Sequence, residues 1–104
     1  MQLQNLDIKN ILYNVPNQRG VMDLMAPQEV DRLVDIIYGA FEQSLTNSNQ
    51  GIENNVGMIN SIKSIVIEEI KNNQDAFGIS ELNKKLDLNT ILQEIIQAET
   101  SIPK

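Results

Sequence analysis

The chain contains no cysteine, no histidine and no tryptophan. Without cysteine, disulfides and thiolate chemistry are excluded. Without histidine, there is no imidazole to act as a base near neutral pH or to bind zinc, copper or haem. Any metal site would need oxygen ligands alone, which suits Ca²⁺ or Mg²⁺. Two phenylalanines and two tyrosines leave few rings for stacking on nucleobases.

Long apolar runs are also missing. No stretch approaches the ~20 apolar residues that a transmembrane helix needs. The first ten residues, MQLQNLDIKN, have neither a basic region nor a long apolar segment, so the sequence predicts no secretory signal. We therefore expect a cytoplasmic protein without a membrane association.

Positive charge is scarce, with 8 basic against 14 acidic residues and a net charge of −6. This balance disfavours unaided binding to a phosphate backbone and suits a basic partner. The length of 104 residues and the apolar fraction of 41% are typical of one soluble domain. We expect a single helical domain over residues 1–104, with ends at 1–6 and 100–104 that can fray. The abundance of asparagine, glutamine and isoleucine is typical of AT-rich genes, such as those of phages and mobile elements.

What the chain does have is a long apolar helical pattern at residues 52–72. On a helix, its apolar side chains cover an arc of roughly 200°, wider than the ~100° stripe of a surface helix. The pattern therefore predicts a central helix packed from two sides. β-Branched residues also allow a strand, but helical spacing matches better than alternation. The apolar positions are Ile52, Val56, Met58, Ile59, Ile62, Ile65, Val66, Ile67 and Ile70.

The remaining segments predict shorter helices around that element. Residues 7–13 form a first helix, 21–25 form a helical turn or a strap, and 27–45 begin at a favourable Pro27 and pair antiparallel with 52–72. Ser80 and Asn89 are the predicted N-caps of two short final helices. The predicted fold is an all-α, small single-domain bundle of four to five helices around the central helix.

Residues 78–96, GISELNKKLDLNTILQEII, resemble the helix–turn–helix segment of many bacterial regulators. Ile79, Leu82 and Leu86 would lie on the first helix, and Ile91 and Ile95 on the second. The resemblance implies a DNA-binding regulator that uses residues 79–96. However, the second helix has two glutamates and no lysine or arginine, whereas a recognition helix offers basic or amide groups to DNA. An ordinary helical hairpin needs the same apolar positions.

The helix at 27–45 has an acidic face formed by Asp31, Asp35 and Glu42. Such a face can be solvated surface, a docking rim for a basic partner, or part of an all-oxygen metal or acid–base site. The loop at 46–57 is not an EF-hand, because Gly57 stands where the twelfth-position glutamate belongs. No serine can form a Ser-His-Asp triad in a chain without histidine.

We expect a non-enzymatic protein–protein interaction module with no catalytic residue, cofactor or metal. It would bind a protein partner, or a second copy as a homodimer, through an apolar helical surface with an acidic rim. If Ile36 and Ile67 were left in water, the protein would lack about 1.5–3 kcal/mol of burial free energy for each side chain. A partner that covered them could recover this free energy. Small adaptors, assembly chaperones, inhibitors and virion or mobile-element components fit this description. A DNA-binding regulator, a metal enzyme and a monomer with no exposed apolar surface are the alternatives. The predicted partner-binding residues are Ile36, Met58, Ile67, Asp31, Asp35 and Glu42.

Overall fold

Helices make up most of the chain in a computed structural model that describes residues 2–46, 56–79 and 81–101. In these residues there are six α-helices, no strand and one 3₁₀ turn, so the predicted all-α class is confirmed. Four helices have at least 10 residues and two are short, which fits the predicted small bundle. Their bounds are α1 Asn5–Asn14, α2 Arg19–Asp23, α3 Pro27–Thr46, α4 Val56–Asn72, the 3₁₀ turn Gln74–Ala76, α5 Leu82–Lys85 and α6 Leu88–Thr100.

The helix α4 lies between α3 on one flank and α5 and α6 on the other. Met58 and Ile65 are half-buried at one edge of its apolar arc, and Ile67 is half-buried at the opposite edge. Apart from Val56, which is 73% exposed at the start of the helix, the described part of the wide arc is covered from two sides, as the sequence predicts. Residues 52–55 of the predicted helix lie outside the described residues. The fully packed centre of the arc spans about 80° on a helical wheel and consists of Ile59, Ile62, Val66 and Ile70.

The helices α3 and α4 run antiparallel. The carboxylate of Glu29, in the first turn of α3, accepts a hydrogen bond of 2.6 Å from the backbone N–H of Gly78, beyond the end of α4. The same carboxylate accepts the Ala26 N–H at 3.1 Å, which satisfies one of the free donors at the start of α3. Glu29 therefore caps α3 and fixes the segment after α4 beside it.

The N-terminal residues are held against the C-terminal helix. The carboxylate of Glu99 on α6 accepts the backbone N–H groups of Gln2 and Leu3, the latter at 2.9 Å. Leu3 is buried, although the sequence predicts a terminus that can fray. The helix α1 also packs against α2 and α3, so it closes the bundle on the side of α3 away from α4.

Several helix ends differ from the predicted ones. α1 starts two residues before the predicted 7–13, where the Gln4 N–H donates to the Asp7 carboxylate at 2.8 Å. α6 is capped by Asp87, which accepts the Thr90 N–H, so the prediction of Asn89 as N-cap is wrong. Starting at residue 88 rather than 90 is favoured because Leu88 is then buried within the helix. The other predicted cap, Ser80, lies outside the described residues.

Gln18, in the loop before α2, is a buried polar residue. Its side-chain oxygen accepts the backbone N–H of Asp87 at 3.2 Å, and its amide nitrogen donates to the carbonyl of Asn17. The bond to Asp87 joins two loops that are 69 residues apart in the chain. The loop before α2 thus supplies a partly buried hydrogen bond between distant parts of the chain.

Candidate functional site

A groove of about 290 Å³ runs along the seam between α3 and α4. Its floor is apolar, because Ile36 and Ala40 are buried and Ile65 is half-buried there. Its rim is polar and carries charges of both signs. The rim residues are Arg32, Asp35 and Gln43 from α3, with Glu69 and Asn73 from α4.

Gly39 lies in this groove, near the middle of the 20-residue helix α3. It is exposed, and a Cβ atom built on it would have no heavy atom within 4 Å outside its local backbone. A glycine inside a helix costs about 1 kcal/mol relative to alanine. Packing does not require a glycine at this position, because the space around it is open. A left-handed backbone does not require one either, because no glycine of the described residues has a positive φ.

The predicted contact residue Ile36 is buried, with 9% of its surface exposed. Ile36 is therefore not left in water, because α4 packs against the edge of α3 on which it lies. Its remaining exposed surface contributes to the groove floor. Ile36 is thus part of a concave surface and does not project from the protein.

The structure does not bring all predicted apolar contacts to one surface. Met58 and Ile67 are both half-buried on α4, but nine residues at 100° each place them about 180° apart. Ile67 therefore lies on the flank of α4 away from Ile65 and the groove. A single partner docked along the groove would not reach it.

Two of the three predicted acidic contacts are engaged by α1. The Lys9 ammonium lies 3.3 Å from the Asp31 carboxylate, and the Asn5 amide donates to the Asp35 carboxylate at 2.9 Å. Asp35 also lines the groove, whereas Asp31 does not. Glu42, the third residue, is half-buried on α3 and outside the lining of this groove. The acidic face is thus divided between α1 and the groove.

Sequence reasoning missed three exposed apolar side chains. Leu6, Leu24 and Val56 are 67%, 70% and 73% exposed. For Leu6 the signal was available, because it lies about 160° from the fully buried Ile8 on the wheel of α1. Single exposed apolar residues are common on protein surfaces, so these three define no patch by themselves.

Glu29 is the carboxylate with the most specific surroundings. Hydrogen bonds from the backbone N–H of Gly78 and of Ala26 hold the pKa of Glu29 below its usual range, against a smaller opposing effect of burial. Both bonds favour the ionised form. Because its carboxylate already accepts two backbone hydrogen bonds, we assign Glu29 a structural role and do not include it in the groove.

The segment that resembles a helix–turn–helix is short. α5 has 4 residues, and only Leu86 and Asp87 separate it from α6. The exposed residues of α6 include Asn89, Gln93 and Glu94, and no basic side chain. α6 thus offers exposed amide groups but no basic side chain, and without a basic side chain it lacks the charged phosphate contacts expected of a recognition helix.

Two further properties bear on the class of site. Within the described residues, no three acidic side chains converge closely enough to hold a metal ion. Among the same residues, no helix has the length and apolarity of a membrane span.

The described residues define an all-α bundle with an interhelical groove. Comparison with family models, curated proteins and solved structures finds no match for this chain. Its function is therefore inferred from its own geometry.

Proposed function

We propose that this protein is a non-enzymatic interaction module that binds a protein partner in the groove between α3 and α4. The observation that carries the proposal is Gly39, an exposed glycine in the middle of a long helix. The protein has room for a side chain at this position. A glycine permits close approach of a second backbone. A partner that packs onto α3 at this point would explain a residue that makes the isolated helix less stable.

The shape of the groove supports a protein partner over a small molecule. Its volume of about 290 Å³ is just below the ~300–1,000 Å³ range of ligand pockets. The apolar floor of Ile36, Ala40 and Ile65, with a polar rim, matches the usual arrangement of a protein interface. A chain without histidine also lacks the commonest catalytic base, and without cysteine it has no thiol nucleophile.

The biological setting follows from the same proposal. A small acidic bundle that acts by binding would serve in the cytoplasm as an adaptor, an assembly chaperone, an inhibitor, or a component of a virion or mobile element. The predicted contacts Ile36 and Asp35 belong to the groove in this proposal, whereas Asp31 and Ile67 do not.

Because the chain has no cysteine, one introduced cysteine is the only attachment point for a thiol-reactive photo-crosslinker. Gln43→Cys places the label on the groove rim, and Gln93→Cys places it on an exposed position of α6 as the matched control. We expect the label at position 43, in an extract of the source cell, to capture a discrete protein that the label at 93 does not capture.

The second arm adds Gly39→Gln to the Gln43→Cys chain. Glutamine is a better helix former than glycine and the space around residue 39 is open, so the variant should fold. We expect its crosslinked product to be lost, because the side chain occupies the groove. Equal products from positions 43 and 93, no discrete product at 43, or a product that Gly39→Gln leaves unchanged would each contradict the proposed function.

A further inference from the structure

We infer that the partner segment in the groove is a cationic amphipathic α-helix of about three turns. The inference rests on the proposed function and specifies the chemistry of the partner. The backbone of the groove walls, the length of the groove and the charges along its rim support a partner of this kind.

The walls of the groove favour a helix over an extended segment. Both walls are α-helices, whose interior backbone N–H and C=O groups are already paired within each helix. A strand laid between them would find no backbone partners, and its own polar groups would be left unsatisfied where the groove excludes water. A helix satisfies its own backbone and needs only to offer an apolar face to the floor.

The length of the groove sets the length of the segment. Its lining on α3 extends from Arg32 to Gln43, which is about 16 Å at 1.5 Å per residue. A docked helix that follows this seam would make contact over about eleven residues, or three turns. Close approach of its backbone at Gly39, near the middle of that length, would let it reach Ile36 and Ala40 on the floor.

The charges favour a cationic segment. Glu69 contributes a carboxylate to the rim, and no ion pair or hydrogen bond to its side chain occurs within the described residues. The lysines of α4, Lys63 and Lys71, lie about 120° and 160° from Glu69 on the helical wheel, away from the groove. The rim thus carries one basic residue, Arg32, and two acidic residues, Asp35 and Glu69.

The net charge of the chain points the same way. A second copy with charge −6 would be repelled, whereas a basic segment would be attracted. The docking of α1 on the other flank of α3 shows the same chemistry within the chain. There, an amphipathic helix buries Ile8 and Leu12 and offers Lys9 to a carboxylate of α3.

The test uses three synthetic peptides of matched length as probes. The first combines leucine and lysine with helical periodicity, the second has the same composition in alternating order, which forms strands, and the third replaces each lysine by glutamate in the helical order. Binding to the full chain is measured by fluorescence anisotropy at low and physiological salt, and the binding surface is mapped by NMR amide shifts.

We expect the helical lysine peptide to bind at least tenfold more tightly than either control peptide. Its shifts should be concentrated in residues 32–43 and 65–73. Glu69→Gln should weaken binding about two- to fivefold and reduce its salt dependence, while Glu94→Gln on the exposed face of α6 should not. Gly39→Gln should weaken binding about tenfold, because the added side chain would overpack the interface.

Three outcomes would overturn the inference. One is equal binding of the alternating or glutamate peptide, the second is binding that Glu69→Gln leaves unchanged, and the third is dimerisation of the chain through the groove in sedimentation experiments. In all three, a crosslink at position 43 that depends on Gly39 would leave the proposed function in place with another partner. Absence of a discrete crosslink at position 43 in the chain that retains Gly39 would contradict both the inference and the proposed function.

Discussion

Replacing Gly39 by alanine should make this protein more stable. The residue lies inside α3, where alanine is favoured over glycine by about 0.8–1.0 kcal/mol. The added methyl group would have no heavy atom of the rest of the protein within 4 Å, so no steric cost offsets this gain. We therefore expect the free energy of unfolding to rise by about 1 kcal/mol.

Thermal and urea unfolding followed by circular dichroism would measure this change. For a domain of this size, about 1 kcal/mol corresponds to a rise in Tm of roughly 4 °C or slightly more. Gly20→Ala is a suitable control, because that glycine is also exposed with open space around its Cβ but belongs to the five-residue helix α2. We expect a smaller gain there, since a short helix restricts its residues less.

The result that would refute this reasoning is a Tm that falls or does not change in Gly39→Ala. A fall would mean that another part of the protein packs on residue 39. No change would mean that α3 is not a regular helix at that position. Either result would remove the main reason for treating the groove as a binding surface.

Three further predictions concern the fold. Glu29→Gln should destabilise the protein most near neutral pH. In urea unfolding at a series of pH values, the difference in unfolding free energy between the variant and the parent chain should shrink as pH falls below about 4. A difference that does not depend on pH would contradict the lowered pKa of Glu29. The difference shrinks at low pH because the hydrogen bonds that lower the folded-state pKa stabilise the fold only while the Glu29 carboxylate is ionised. Ile62→Ala, at a fully buried position of α4, should cost about 2–5 kcal/mol in urea unfolding, whereas the exposed Ser61→Ala should change stability little; similar values would contradict a central α4. Asp87→Ala should cost about 1 kcal/mol by thermal unfolding and Asn89→Ala much less, and the reverse order would restore Asn89 as the cap of α6.

The helical architecture could be predicted because its signals are local. Pro27 marks the start of α3, and the 3.6-residue apolar spacing identifies α4 without any tertiary information. The width of the arc on α4 also predicted packing from two sides. Each of these features depends on residues of a single helix, so a single sequence contains them.

The placement of Ile36 could not be predicted in the same way. It lies at the edge of the apolar face of α3. Whether a residue at this edge is exposed to solvent depends on where the neighbouring helix packs. That position is fixed by contacts distant in sequence, such as the bond between Glu29 and Gly78, 49 residues apart. The groove itself is a property of two helices and has no signature in either one.

Other features also have signals in the sequence itself. A glycine in the middle of an amphipathic helix costs stability and calls for an explanation, which makes Gly39 visible without a structure. Met58 and Ile67 lie nine residues apart, and the helical wheel alone separates them by about 180°. For the cap of α6, both Asp87 and Asn89 are suitable residue types, and burial of Leu88 decides between them.

The central claim is that Gly39 serves a partner and not the fold. A paired measurement on Gly39→Ala tests it most directly, with Tm and the yield of the crosslink from the label at position 43 recorded on the same samples. We predict that Tm rises while the crosslink yield falls, because the methyl group stabilises α3 and obstructs the groove. A variant with a higher Tm and an undiminished crosslink yield would contradict the claim.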